Sequence, residues 1–180
     1  MHIGEEIHVI GDWFILHFTE NNGMAFGLQF AGDWGKLFLS LFRVAAIVVI
    51  AIYLFRVIKK GEKKGFIFSI SLILAGAIGN MIDSAFYGMI FSESYNNIAQ
   101  LFPQGGGYAS FLHGRVVDMF YFPILKGNYP DWLPFLGGDR FIFFRPVFNV
   151  ADSAITVGVF ILIFFQKHLF PNKFIEENKI

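Results

Sequence analysis

KLFLSLFRVAAIVVIAIYLFRVIKKGEKKGFIFSISLILAGAIGNMIDSAFYGMI, residues 36–90, is the stretch whose reading decides the fold. It holds two apolar runs, 36–58 and 66–90, each meeting the roughly 20 residues a helix needs to cross a bilayer. Between them, RVIKKGEKKG places Arg56, Lys59, Lys60, Lys63 and Lys64 in one short turn, with Gly61 and Gly65 free to reverse the chain. Such a charge run is a solvated loop, and the positive-inside rule assigns it to the cytoplasm.

The rest follows by alternation. VFNVADSAITVGVFILIFF, residues 147–165, opens a third span expected over 147–166. Residues 1–35 lack Lys and Arg but carry Glu5, Glu6, Asp12, Glu20 and Asp33, so they belong outside. The segment 91–146 is outside too, its Arg115, Lys126, Arg140 and Arg145 scattered among acids. The tail 167–180, with Lys167, Lys173 and Lys179, returns to the cytoplasm. Residues 1–180 therefore read as a single membrane-embedded, multi-pass domain. Met1 to Glu6 is polar and acidic, so no cleavable signal peptide is expected.

Composition agrees with this topology. The chain is 55% hydrophobic and only 16% charged, against about 25% charged for ordinary soluble proteins; its mean hydropathy is +0.55. Its 25 Phe residues suit lipid-facing surfaces. Zero net charge gives no sign of nucleic acid, and the absence of Cys excludes disulfides, thiolate metal sites and a thiol nucleophile.

The outer segments carry local structure. In IHVIGDWFILHFTEN, residues 7–21, Phe14, Leu16 and Phe18 alternate as one strand face, and Asn22-Gly23 marks a turn. Gln104-Gly105-Gly106-Gly107 reads as a flexible break, and GRVVDMFYF, 114–122, as a short strand. Pro123, Pro130 and Pro134 punctuate the remainder, where Trp132 suits the headgroup level.

Ionisable groups in or beside spans are costly and mark functional candidates. Asp152 lies three residues after Asn149, a spacing that fits a helix cap and dipole partner as well as a reactive group. Asp118 sits among apolar residues in VVDMF, with a salt bridge to Arg115 as its structural alternative. Asn80 and Asp83 share a helix face in the second span and could equally glue helices together. Arg43 could snorkel outward or pair with Asp83, in a structural role. Two carboxyl groups on the outer side are the minimum equipment for acid–base hydrolysis of a peptide, since crowding lets a pair hold one proton.

Other chemistries fit less well. His2, His8, His17, His113 and His168 are scattered without metal-binding spacing, so no metal site is expected. There is no Gly-x-Ser-x-Gly elbow and no phosphate-binding Gly loop followed by Lys. Gly137-Gly138-Asp139 lies in a Pro/Gly-rich loop rather than in a span.

Four segments together resemble the lipoprotein signal peptidase (signal peptidase II) family. Glu20-Asn21-Asn22-Gly23-Met24-Ala25-Phe26 is similar to its Asn-x-Gly-Ala-Ala-Phe segment, and Gly79-Asn80-Met81-Ile82-Asp83 to Gly-Asn-x-x-Asp-Arg. Val116-Val117-Asp118 and Phe148-Asn149-Val150-Ala151-Asp152-Ser153-Ala154 match the other two, in the family's order, within a resemblance covering residues 14–165. The resemblance implies an aspartic endopeptidase of the bacterial inner membrane, with Asp118 and Asp152 as catalytic dyad on the extracytoplasmic side. Its substrate would be a prolipoprotein carrying a diacylglyceryl cysteine, cut just before that cysteine. Asn21, Gly23, Asn80, Asp83 and Asn149 would support the dyad and the substrate backbone, with no cofactor, and the cyclic peptide globomycin would inhibit.

The implied fold is an all-α membrane bundle with a small extracytoplasmic β-cradle near residues 7–30, working as a monomer among membrane lipid. The family has four transmembrane helices and this chain shows three, so a truncated chain or a misassigned start is expected. Ser84 replaces the motif's Arg, leaving Arg115 as the candidate cation, and the segment 91–113 is longer than usual. The rival readings are a non-enzymatic membrane protein, such as a transporter subunit or scaffold, and a catalytically dead relative.

Overall fold

The computed structural model describes residues 1–23, 32–143 and 145–165. Its backbone runs β1 (Glu6–Ile10), β2 (Phe14–Asn21), α1 (Gly32–Lys59), α2 (Lys64–Ile90), β3 (Val116–Tyr121), β4 (Leu125–Asn128), β5 (Arg140–Phe143), β6 (Val147–Phe148) and α3 (Val150–Phe164).

The helices α1 and α2, of 28 and 27 residues, are long and apolar enough to cross a membrane. Phe38, Phe42, Val49 and Phe55 of α1 are largely exposed, a surface that suits lipid rather than water. The chain reverses at Gly61, whose φ of +67° is a conformation that favours glycine. Val57, Phe66 and Ile70 close a small core under that turn, with Ile161 and Leu162 of α3 packed against it.

Small residues let α2 and α3 approach closely. A side chain at Gly76 would strike the Ala151 carbonyl, and a Cβ at Gly158 would lie 2.7 Å from the Ser69 carbonyl oxygen. Backbones this close gain packing contacts that lipid cannot supply.

The third apolar segment differs from its expected bounds. Val147 and Phe148 form β6, paired with Tyr121 and Phe120 of β3. The helix begins only after Asn149, whose extended backbone (φ −119°, ψ −177°) and side-chain bond to the Asp152 N–H make it the N-cap. Hydropathy cannot separate a short apolar strand from the helix it leads into. As described, α3 has 15 residues, about 22 Å at 1.5 Å each, short of the ~30 Å hydrocarbon core. The expected end of this span at 166 and the tail 167–180 lie outside the described residues, as do Met24, Ala25 and Phe26.

A four-stranded antiparallel sheet, in the order β1-β2-β3-β6, sits beside the helices. The fully buried residue of β2 is Ile15, at 1% exposure, not one of the expected face of Phe14, Leu16 and Phe18. Phe14 is half-buried and stacks on Phe122 at 4.8 Å. A bulge between Leu16 and Thr19 then shifts the β2–β3 register, setting Thr19 opposite Asp118 and Asn21 opposite Val116. Bulges re-aim side chains in this way.

The segment after α2 folds back on it. Ala109 and Phe102 donate their N–H groups to the Gly88 and Ile90 carbonyls, both at 2.8 Å, capping the helix end. The expected flexible break is partly packed: Gly107 lies directly against the Gly88 and Met89 backbone, where no side chain would fit. The hairpin β4–β5 has no counterpart in the sequence reading, and its turn leaves Trp132 largely and Phe135 fully exposed.

Candidate active site

Asp118 comes from the middle of β3, where alternation turns Val116 and Asp118 inward. It is 4% exposed, and burying a carboxyl group demands hydrogen-bond partners. Asn21 donates to Asp118 Oδ2 from the diagonal position on β2. Asn149 Nδ2 donates to Asp118 Oδ1 at 2.8 Å.

Asn149 links both aspartates. Its Oδ1 accepts from the Asp152 N–H at 2.9 Å, fixing the first turn of α3. Its Nδ2 also donates to Asn80 Oδ1 at 3.0 Å, and Asn80 Nδ2 donates to Asp152 Oδ1 at 2.7 Å. The cap reading of Asn149-Val-Ala-Asp152 is met, and the same side chain also reaches Asp118. Asp83, one turn beyond Asn80 on α2, lies near the Val117 N–H of β3 and the Tyr87 hydroxyl.

Burial, and then the neighbouring charge of Asp152, push the Asp118 carboxyl up to about 6, against the opposing donation of Asn21 and Asn149. A carboxyl group in that range can keep a proton in mildly acidic water and lose it near neutrality. Asp118 and Asp152 are thus both bonded to Asn149 and close enough for the Asp152 charge to act on Asp118.

Two cations stand elsewhere than expected. Arg115 does not reach Asp118: it bonds Glu20 at 3.0 Å and Glu93 at 2.5 Å. Three residues is an odd step along an extended chain, so Arg115 and Asp118 point to opposite faces. Its donation holds Glu93 below the ordinary carboxylate value. Ser94 Oγ donates to the other Glu20 oxygen at 2.6 Å, and the Arg115 N–H donates to the Tyr108 hydroxyl at 2.7 Å. This cluster clamps the segment after α2 onto β2, and the sequence signalled it only through Glu20, the residue beside Asn21.

Arg43 makes no ion pair with Asp83 among the described residues. Its Nη2 donates to the Gly23 carbonyl, and its Nη1 reaches Ser84 Oγ at 3.4 Å. A cation thus arrives from α1 at the position where the motif's own Arg is replaced by Ser. Sequence distance hid this contact, because 41 residues separate the partners.

A model of the family described as signal peptidase (SPase) II matches residues 1–167. The lipoprotein signal peptidase of Porphyromonas gingivalis is 55% identical over 157 residues, 87% of this chain and 68% of that one. That of Amoebophilus asiaticus is 38% identical, over 88% of this chain and 63% of its own length. A solved bacterial membrane enzyme, determined in meso at 2.3 Å, superposes with a TM-score of 0.55 at 26% identity, covering 93% of this chain and 74% of its own. The aspartates and their amide partners all lie inside the matched residues 1–167, and the chain belongs to the signal peptidase II family of aspartic-type endopeptidases.

Proposed function

We propose that this chain removes the signal peptide from lipoprotein precursors, with Asp118 and Asp152 as its catalytic pair. The observation that carries the proposal is the Asn149 side chain, bonded at once to Asp118, to the Asp152 backbone and to the Asn80 amide that holds Asp152. Asn21, Gly23, Asn80, Asp83 and Asn149 are the supporting residues. A non-enzymatic transporter subunit or scaffold is not favoured, since the family is one of peptidases.

In this mechanism the pair holds one proton, and the burial of Asp118 favours its residence there. The ionised carboxylate takes a proton from water as the water oxygen attacks the scissile carbonyl carbon. The protonated carboxyl gives its proton to the carbonyl oxygen, forming a neutral tetrahedral diol. Collapse re-forms the carbonyl, returns a hydroxyl proton to one carboxylate, and breaks the C–N bond. The leaving amine takes the proton first drawn from water. The amides of Asn21, Asn80 and Asn149 hold both carboxyl groups in one orientation throughout, which removes reorganisation from the barrier.

The precursor would carry a diacylglyceryl cysteine and be cut just before it. The setting is the inner membrane, with the third apolar segment as a third span and the chain working as one membrane-embedded unit and as a monomer. The basic turn between α1 and α2 would face the cytoplasm. Asn80 lies 16 residues into α2 from Lys64, about 24 Å along the axis, which sets the site near the opposite, extracytoplasmic face. Because the chain has no Cys, Glu62→Cys and Gln104→Cys give clean labels for topology. A membrane-impermeant thiol reagent applied from outside should reach Gln104→Cys only; labelling of Glu62→Cys would reverse the orientation.

The direct test places the purified chain in lipid vesicles with a precursor peptide, with or without diacylglyceryl on its cysteine. The modified peptide is expected to be cut before that cysteine, as read by mass spectrometry. Equal cleavage of both forms, or of neither, contradicts the proposal.

A further inference from the structure

Arg43 lies inside α1 with apolar neighbours on either side in sequence, a costly place for a permanent charge. Among the described residues no carboxylate lies within ion-pair distance of it, although the Asp152 charge acts on it from farther away. Among the described residues it touches two groups, and each leads to one aspartate. Nη2 donates to the carbonyl of Gly23. The Gly23 N–H donates to Asn21 Oδ1, and Asn21 donates to Asp118. On the other side, Nη1 meets Ser84 Oγ at 3.4 Å; that hydroxyl donates to the Asn80 carbonyl at 3.0 Å, and the Asn80 amide donates to Asp152 at 2.7 Å.

Gly23 is fitted to this contact. Its φ of +82° favours glycine, and a Cβ there would lie 2.5 Å from the nearer guanidinium nitrogen. The turn after β2 is therefore shaped around the Arg43 side chain. The guanidinium can serve two sites at once because it is a planar fork with donors on separate nitrogens, which an ammonium is not.

We propose that Arg43 is a positioning residue of the peptidase: its guanidinium joins the Gly23 turn to the Ser84 face of α2, and so fixes Asn21 against Asp118 and Asn80 against Asp152. The inference rests on the reading of Asp118 and Asp152 as the catalytic pair. It acts on the geometry of that pair rather than on substrate affinity, so its loss belongs in kcat. The 3.4 Å contact also means that a guanidinium carried by position 84 can occupy nearly the same volume.

The experiment measures kcat and KM for cleavage of the lipid-modified precursor in vesicles by wild type, Arg43→Gln, Arg43→Gln/Ser84→Arg and Asp118→Asn. Arg43→Gln should lower kcat at least about thirtyfold with KM within about threefold, the pattern of a lost transition-state alignment. The double variant should regain at least about tenfold of that loss, a rescue that a purely structural cation elsewhere in the span would not give. A kcat for Arg43→Gln within threefold of wild type, or a loss confined to KM, overturns the proposal. If Arg43→Gln alone does not fold, the double variant decides: cleavage supports the proposal, and failure to fold or to cleave overturns it. Asp118→Asn separates the two readings. If it stays active, the dyad itself is wrong; if it is dead while Arg43→Gln is normal, only the role of Arg43 fails.

Discussion

Asn149 donates to Asp118 and Asn80 and accepts from the Asp152 N–H, and the acidity of Asp118 follows from how the donations it receives oppose burial. Asp118 stands at about 6, above the ordinary carboxylate value, because burial and Asp152 outweigh the bonds from Asn21 and Asn149. The sign is set by the raised value: the proton is held below it and lost as pH rises through it. Cleavage that needs one shared proton should therefore show a descending limb of kcat/KM near pH 6, an apparent value belonging to the pair. Asn21→Leu removes a donor that favours the ionised form, so it should move that limb upward by about one pH unit, equivalent to ~1.4 kcal/mol. A limb that stays in place, or moves down, contradicts this account of the site.

The elements that position these residues meet through small side chains. The Asn80–Asp152 bond crosses the α2–α3 interface, and Gly76 and Gly158 set its width. Gly158→Val would drive a side chain into the Ser69 carbonyl and Ile73 of α2. It should lower stability by about 1–3 kcal/mol, as overpacking does, seen as a reduced Tm in detergent, and slow cleavage with it. Gly105→Ala, which meets nothing within 4 Å, should leave both unchanged. Equal effects of the two substitutions would mean that the helix spacing does not set the site. The two long helices were legible in the sequence because lipid demands unbroken apolar runs, and β3 because a short run rich in Val, Phe and Tyr reads as a strand. The hairpin β4–β5 was not: all four β4 residues are exposed, so no burial pattern marks them. Arg115 was misplaced because sequence nearness to Asp118 says nothing about which face of an extended chain a residue takes.

At the scale of the whole molecule, the proposed site forms where the four-stranded sheet meets α2 and α3. Asp118 is carried by the sheet, Asn80 and Asp83 by α2, and Asp152 by the first turn of α3. Four short motifs in order marked these residues, since each is a local signal that survives without knowledge of packing. What no local signal carried was the long-range contact of Arg43 with Gly23 and Ser84, or the clamp of Arg115 on Glu20 and Glu93. If Asp118 and Asp152 act as the proposed dyad, the pair should fail as a unit when either member is lost. The decisive measurement is cleavage of lipid-modified precursor in vesicles by Asp118→Asn, Asp152→Asn and the double variant, each confirmed as inserted. Each single variant should lose about 10³-fold or more, the scale of acid–base groups, and the double variant should lose little beyond either. Retention of activity within tenfold by either single variant, or losses that simply multiply, would contradict the dyad.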